Sequence, residues 1–167
     1  MSPRSRSFAL RDVEEEDCRQ LWKWRNDPKV RKASFSPKAI DWKEHVKWFK
    51  SRLGDPKCVM YIATTVDGAS IGGVRYDIEN GDAVISVIID QRSRAMGYGR
   101  KILCLASRRM FNSTTVKRVH AYVKEDNTAS IAAFARAGFK NMGMTTFHGH
   151  DAIHLILDRD EADWKAA

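Results

Sequence analysis

The segment Ile88-Ile89-Asp90-Gln91-Arg92-Ser93-Arg94-Ala95-Met96-Gly97-Tyr98-Gly99-Arg100 is where residue type and spacing point most directly to chemistry. A β-branched apolar run passes into a loop with two close glycines, and the loop opens a helix-forming stretch. The first amides of a helix have no partners within it, and the helix dipole adds partial positive charge at that end. Glycines there let the backbone come close to a ligand, so the segment predicts a seat for a pyrophosphate. It lacks the Gly-Lys-Ser/Thr of a Walker A loop. It also lacks the Gly-x-Gly-x-x-Gly of a dinucleotide fold, and the strand before it ends a meander instead of starting a βαβ unit.

The elements that must position this loop can be read on either side of it. Phe8–Leu10 reads as a strand, and a helix capped by Asp12 or Asp17 reaches about Arg25. Asn26-Asp27-Pro28 breaks that helix, and Pro28 begins a short turn of helix towards Lys32. Asp41, three residues before Glu44, predicts a capping box for a helix carrying Val46, Phe49 and Leu53. Cys58–Val66, Ser70–Ile78 and Ala83–Ile89 read as an antiparallel meander, turned at Asp67-Gly68 and Asn80-Gly81. A helix over about Gly97–Phe111, a strand at Arg118–Val123 and a helix at Thr128–Ala137 follow. The hairpin Lys140–Phe147 and Ala152–Leu157 ends the series. The reading is one α+β (mixed α/β) domain over 1–167, with 7–158 as its ordered core and 159–167 as a polar tail that frays.

Composition narrows the partners. The chain has 167 residues, and its 29 Lys+Arg against 21 Asp+Glu give a net charge of +8, which points to anionic partners. Two stretches carry the excess: Gln91–Lys124 has nine basic and no acidic residues, and Arg19–Lys57 has twelve against four. No basic-aromatic interleaving or RNP-like string supports nucleic-acid binding. Cys18, Cys58 and Cys104 form no Cys-x-x-Cys pair, so neither a metal site nor a disulfide framework is expected. No apolar run approaches the roughly 18 residues of a membrane span, and no apolar region follows the basic residues of Met1–Ser7. A cytoplasmic protein without a membrane partner is the expectation.

Two motifs, taken together, carry a family resemblance. Arg94-x-x-Gly97-x-Gly99 resembles the Q/R-x-x-G-x-G/A signature of the GCN5-related N-acetyltransferases. Asn127-x-x-Ser130-x-x-x-Phe134-x-x-x-Gly138-Phe139 looks like their second element, and the element order matches from Phe8 to Leu157. The resemblance implies a mostly antiparallel sheet of about seven strands with about four helices, in which the fourth strand splays from the fifth. It implies acetyl-CoA in the gap, with the pantetheine arm along Val87, Ile88 and Ile89. Arg94 and the backbone of Met96, Gly97, Tyr98, Gly99, Arg100 and Lys101 would surround the pyrophosphate. Asn127 would bond the arm, with Ser130 and Phe134 beside it. The chemistry implied is direct transfer to an amine, with an amide at Ile88 or Ile89 stabilising the oxyanion.

Two positions depart from the family pattern. Phe134 stands where a tyrosine often protonates the leaving thiolate, and Val84-Ile85-Ser86-Val87 carries no carboxylate to act as base. His45, Asp77, Glu79 or a water chain are the candidate bases, and Tyr76, Tyr98 and Tyr122 the candidate acids. The Trp24-Arg25-Asn26-Asp27-Pro28-x-Val30-Arg31 string followed by His45-x-x-Trp48-Phe49 resembles the branch that acetylates the 4-amino group of UDP-linked amino sugars. That resemblance implies an acceptor site of Trp24, Arg25, Asn26, Arg31, His45, Trp48 and Tyr76, with Arg25 and Arg31 pairing with phosphate and a Trp ring stacking on base or sugar. The expected partner is a small nucleotide-sugar acceptor, and monomer and homodimer both remain open. The other readings are an N-terminal protein acetyltransferase and a non-catalytic module that binds acetyl-CoA, anions or nucleic acid.

Overall fold

The computed structural model describes residues 7–161, so the last six residues of the expected tail lie outside the described residues. Seven strands form one sheet in the order β1-β2-β3-β4-β5-β7-β6. The strands are β1 (Phe8–Asp12), β2 (Cys58–Thr65), β3 (Ser70–Glu79), β4 (Asp82–Ile89), β5 (Arg118–Val123), β6 (Lys140–Phe147) and β7 (His150–Asp158). The helices are α1 (Cys18–Arg25), α2 (Pro28–Ala33), α3 (Trp42–Arg52), α4 (Tyr98–Ser113) and α5 (Thr128–Arg136). The expected fold class holds, with five helices because Pro28 starts a separate α2. None of the described helices is long and apolar enough to cross a membrane.

The β2–β3–β4 meander follows the expected turns. Asn80 and Gly81 both take positive φ, +53° and +83°, as a tight hairpin turn with right-handed strand twist requires. The side chains of this sheet divide between two cores. Val74, Tyr76, Ile85, Val119, Ala121 and Leu155 pack against Ile102, Leu103 and Met110 of α4. Met60, Ile62 and Ile88 instead pack with Leu21 and Trp24 of α1 and Phe49 of α3. α1 can lie this close because Gly73 faces it: a Cβ there would come within 3.2 Å of Leu21.

Some local expectations change. Asp17 does not cap α1; its carboxylate takes two bonds from Arg11, at 2.7 and 2.8 Å, and one from the Glu14 amide. Asp41 caps α3 through the Lys43 amide at 3.1 Å, not through a box with Glu44. The start of the tail does not fray: the Arg159 guanidinium donates to the carbonyls of Phe111, Thr114 and Val116, closing the end of α4.

Candidate active site

The sheet opens at one seam. β4 and β5 run parallel and pair only over Asp82↔Arg118, Ala83↔Val119 and Val84↔His120, after which they part. Backbone groups alternate in direction along a strand. The Asp90 amide donates to the Ile71 carbonyl at 2.8 Å, so the amide of Ile88, two residues earlier, also faces β3. The amides of Val87 and Ile89 therefore turn into the gap, and Arg94 Nε reaches the Ile89 carbonyl from that side at 3.2 Å. Of the two amides expected to hold an oxyanion, Ile88 is occupied by the β3 ladder and Ile89 is free to face a ligand.

At the open end of the gap stands the start of α4. Gly97 is its N-cap at φ +78°, a left-handed conformation, and no atom lies within 4 Å of where its Cβ would be. The glycine is needed for its backbone angle, and the space above it is open to a ligand. The following amides of Tyr98, Gly99 and Arg100 point out of the first helical turn. Met96 and Lys101 are exposed. Arg100 ties α4 to α5 through the Arg136 carbonyl at 3.2 Å, and Gly99 lets α5 approach to ordinary contact at Ala133. Asn127 caps α5, its Oδ1 accepting from the Ser130 amide at 3.2 Å, which leaves its amide hydrogens available. A seat for an anion and a gap with free strand amides thus adjoin, and together they fit the pyrophosphate and amide-bearing arm of acetyl-CoA.

Arg94 is not part of that seat. Its guanidinium turns back to Ile89 and to Asp27, at 3.3 Å, where it braces the α1–α2 junction against the loop. Phe134 lies in the core with its ring centroid 5.0 Å from Phe139.

The other face of the sheet carries a cationic cluster. The Arg25 guanidinium lies 4.3 Å above the Trp48 ring, and that of Arg75 lies 5.1 Å from it. Arg75 pairs with Asp77 at 2.9 Å and reaches the Ser86 hydroxyl of β4 at 3.4 Å. Arg25 has neither hydrogen bond nor ion pair among the described residues. Burial, and then the charge of Arg75, push its pKa down to about 10. A guanidinium in this state gains from an anionic partner.

Several expected acceptor contacts serve structure instead. Trp24 is buried, and its Nε1 donates to Asp90 at 2.8 Å. Asn26 is used up in bonds to the carbonyls of Trp22 and Ile40 and from the Ile40 amide, which fix the approach to α3. Arg31 Nε holds the Pro37 carbonyl at 2.9 Å, which fixes the side chain and leaves its terminal nitrogens open. His45 is wholly buried, with Nε2 on the Cys18 carbonyl at 2.8 Å and Nδ1 enclosed without a partner. A carbonyl only accepts, so Nε2 carries the proton. Burial lowers the pKa further, and no exposed nitrogen remains to serve as a base. Tyr76 is also fully buried, bonded to Ser107 of α4, and burial raises its pKa far out of range for proton transfer. Tyr98 packs edge-on to Phe8 in the α4 core.

A polar cluster across β4, β5 and β7 was read in the sequence only at Tyr122; its Asp82, His120 and His154 were not singled out. Asp82 Oδ2 lies 2.8 Å from His120 Nε2, and His120 Nδ1 lies 2.8 Å from His154 Nε2. Tyr122 stacks on His154 and on Phe147, with centroids 4.7 and 4.0 Å away. Val119, Ala121 and Val123 alternate with His120 and Tyr122 and face α4, so the two polar rings share the face that carries Arg75. That alternation was the available signal.

Comparison with known proteins adds the following. Residues 8–140 match the family described as Acetyltransferase (GNAT) domain. An uncharacterized protein of Methanocaldococcus jannaschii is 26% identical over 136 residues, 80% of this chain, and the chain spans only 28% of that protein's length. An aminoglycoside acetyltransferase solved with coenzyme A is 19% identical, with a TM-score of 0.82 over 96% of this chain and all of the other. A spermidine N-acetyltransferase from Vibrio cholerae in complex with CoA and spermine is 17% identical, with a TM-score of 0.82 over 92% of this chain and 96% of the other.

Proposed function

The chain belongs to the acetyltransferase (GNAT) family, and from that premise we propose that it acetylates a primary amine on an anionic acceptor, the 4-amino group of a UDP-linked amino sugar. It is an acetyl-CoA-dependent N-acetyltransferase. Acetyl-CoA supplies an activated acetyl group on a thioester. The chain's residues hold and orient it: the α4 amides take the pyrophosphate, the Asn127 amide takes the arm, and the Ile89 and Val87 amides, which line the gap from its open end inward, take the arm and the charge that develops on the acetyl oxygen.

The observation that carries the acceptor reading is Arg25, desolvated and unpaired on the face opposite α4. The aminoglycoside and spermidine enzymes act on polycations, which need acidic surroundings. Here the nearest carboxylate, Asp77, is already held by Arg75 and flanked by Arg52 at 3.8 Å, so the cluster favours a phosphate. Of the three candidate tyrosines, Tyr122 remains for the departing thiolate. Burial and the nearby Asp82 charge raise its pKa and keep it protonated.

The test is CoA-thiol release from acetyl-CoA over a panel of UDP- and TDP-linked amino sugars, aminoglycosides, spermidine and Ser- or Ala-initiated peptides. Turnover confined to the nucleotide sugars supports the reading. Turnover of polyamines or aminoglycosides, or of peptides alone, overturns the acceptor class.

A further inference from the structure

We propose that Asp82, His120 and His154 form a proton relay that removes the proton from the acceptor amine. This inference rests on the acetyl-transfer reading above. The position is set by the seam: Val84↔His120 is the last pair before β4 and β5 part, so His120 stands at the closed end of the gap. The pyrophosphate seat is at the open end, at Gly97, so an arm extending from it into the gap brings the thioester towards His120. Ala121, Val123, Leu155 and Leu157 face α4, so His120 and His154 project from the opposite face, the one an acceptor approaches.

Asp82 sets the direction of the relay. An ionised carboxylate only accepts, so His120 Nε2 carries a hydrogen, and in the neutral ring His120 Nδ1 then carries a lone pair. His154 Nε2 must then donate to His120 Nδ1, which leaves His154 Nδ1 as an unprotonated nitrogen that makes no hydrogen bond among the described residues. The ring planes lie 11° apart with centroids 5.1 Å apart, the arrangement of two rings joined edge to edge by one bond. A proton taken by His154 Nδ1 from the acceptor ammonium releases the hydrogen on Nε2 to His120. The resulting His120 imidazolium sits against the Asp82 carboxylate and returns the proton to solvent after transfer. The amine nitrogen, now with a free electron pair, forms the bond to the acetyl carbon as the carbon–sulfur bond breaks.

The charged and titratable groups on the adjoining strands are Glu79 opposite Asp82, Arg118 paired with Asp158, the neutral Tyr122 beside His154, and Lys140 opposite Ile156. Burial, followed by His120 and Arg118, holds the pKa of His154 below its ordinary value, which keeps it neutral near pH 7. Without the geometry this would describe any buried histidine.

Two measurements on the full chain test the relay, and the first needs no acceptor. Nitrogen-15 NMR of the histidine rings at pH 8 should show His154 protonated on Nε2 and His120 on Nε2, with Asp82→Asn disturbing both. A hydrogen on His154 Nδ1 overturns the proposal, whatever the acceptor proves to be. The second measurement uses the nucleotide amino sugar turned over in the panel. His154→Gln and His120→Gln should each lower kcat at least tenfold and remove the acidic limb of its pH profile, with KM for acetyl-CoA unchanged within twofold. Unchanged kcat, or loss of activity through KM for acetyl-CoA alone, also overturns it. If no panel member reacts, the acceptor reading fails while the tautomer result still decides the relay.

Discussion

The indole Nε1 of Trp24 lies 2.8 Å from the Asp90 carboxylate, joining helix α1 to the first residue of the loop that leads into α4. Asp90 also receives the Arg92 amide at 3.0 Å, so one carboxylate both shapes the turn and anchors it. Replacing Trp24 by Phe removes the donor and leaves Asp90 half satisfied. A hydrogen bond to a charged group is worth about 1.5–3 kcal/mol. Thermal denaturation should show a loss of that order, and calorimetric titration should show weaker acetyl-CoA binding. Unchanged affinity would mean that the loop holds its shape without α1.

Gly97 tests the anion seat. Alanine there must adopt φ near +78°, costing about 1–2 kcal/mol, so Gly97→Ala should weaken acetyl-CoA binding several-fold. Gly97→Glu adds a negative charge in the open space over the α4 amides and should abolish binding. Circular dichroism separates lost binding from lost fold. Full affinity in the Glu variant removes the seat from this helix.

Arg25 predicts opposite effects on stability and activity. Its folded pKa of about 10 lies below the ordinary guanidinium value, so the unfolded chain binds more protons over the range between the two. Stability is therefore reduced at every pH below about 10 and recovers as pH rises through that window. Arg25→Met should raise the Tm at pH 7 while raising KM for an anionic acceptor about tenfold or more. A lowered Tm would show that the stack on Trp48 outweighs the desolvation.

Asp17 sets an acid limit. Burial raises its pKa, but the Arg11 guanidinium and the Glu14 amide outweigh burial and hold it below 3.8. A depressed acid stabilises the fold above its unfolded pKa and loses that contribution as pH falls through the folded value. Denaturation midpoints should thus fall as pH drops below about 4. Asp17→Asn should flatten the part of that slope due to this group; an unchanged slope assigns it to other carboxylates.

The elements were legible in the sequence because their signals are local. Asn80-Gly81 makes a hairpin at any position, and Pro28 ends α1 whatever packs on it. The roles of side chains were less legible because a role depends on partners far along the chain. Asn26 reads as a loop residue open to ligand, yet Ile40, fourteen residues on, consumes its amide. His45 lies four residues from Phe49 on a stripe whose burial depended on how α3 lies over α1. His154 meets His120 across 34 residues because β7 inserts between β5 and β6, an order that no turn signal encodes.

The parting of β4 from β5 has a consequence for solubility. Beyond Val84 each strand carries backbone donors and acceptors without a neighbouring strand, so the sheet has two additional edges in its interior. Exposed edges recruit foreign strands and seed aggregation. Here they face one another across the gap, and a ligand arm bearing its own amides matches their unpaired groups. A ligand that fills the cleft should therefore suppress aggregation, and light scattering of the full chain with and without acetyl-CoA checks it.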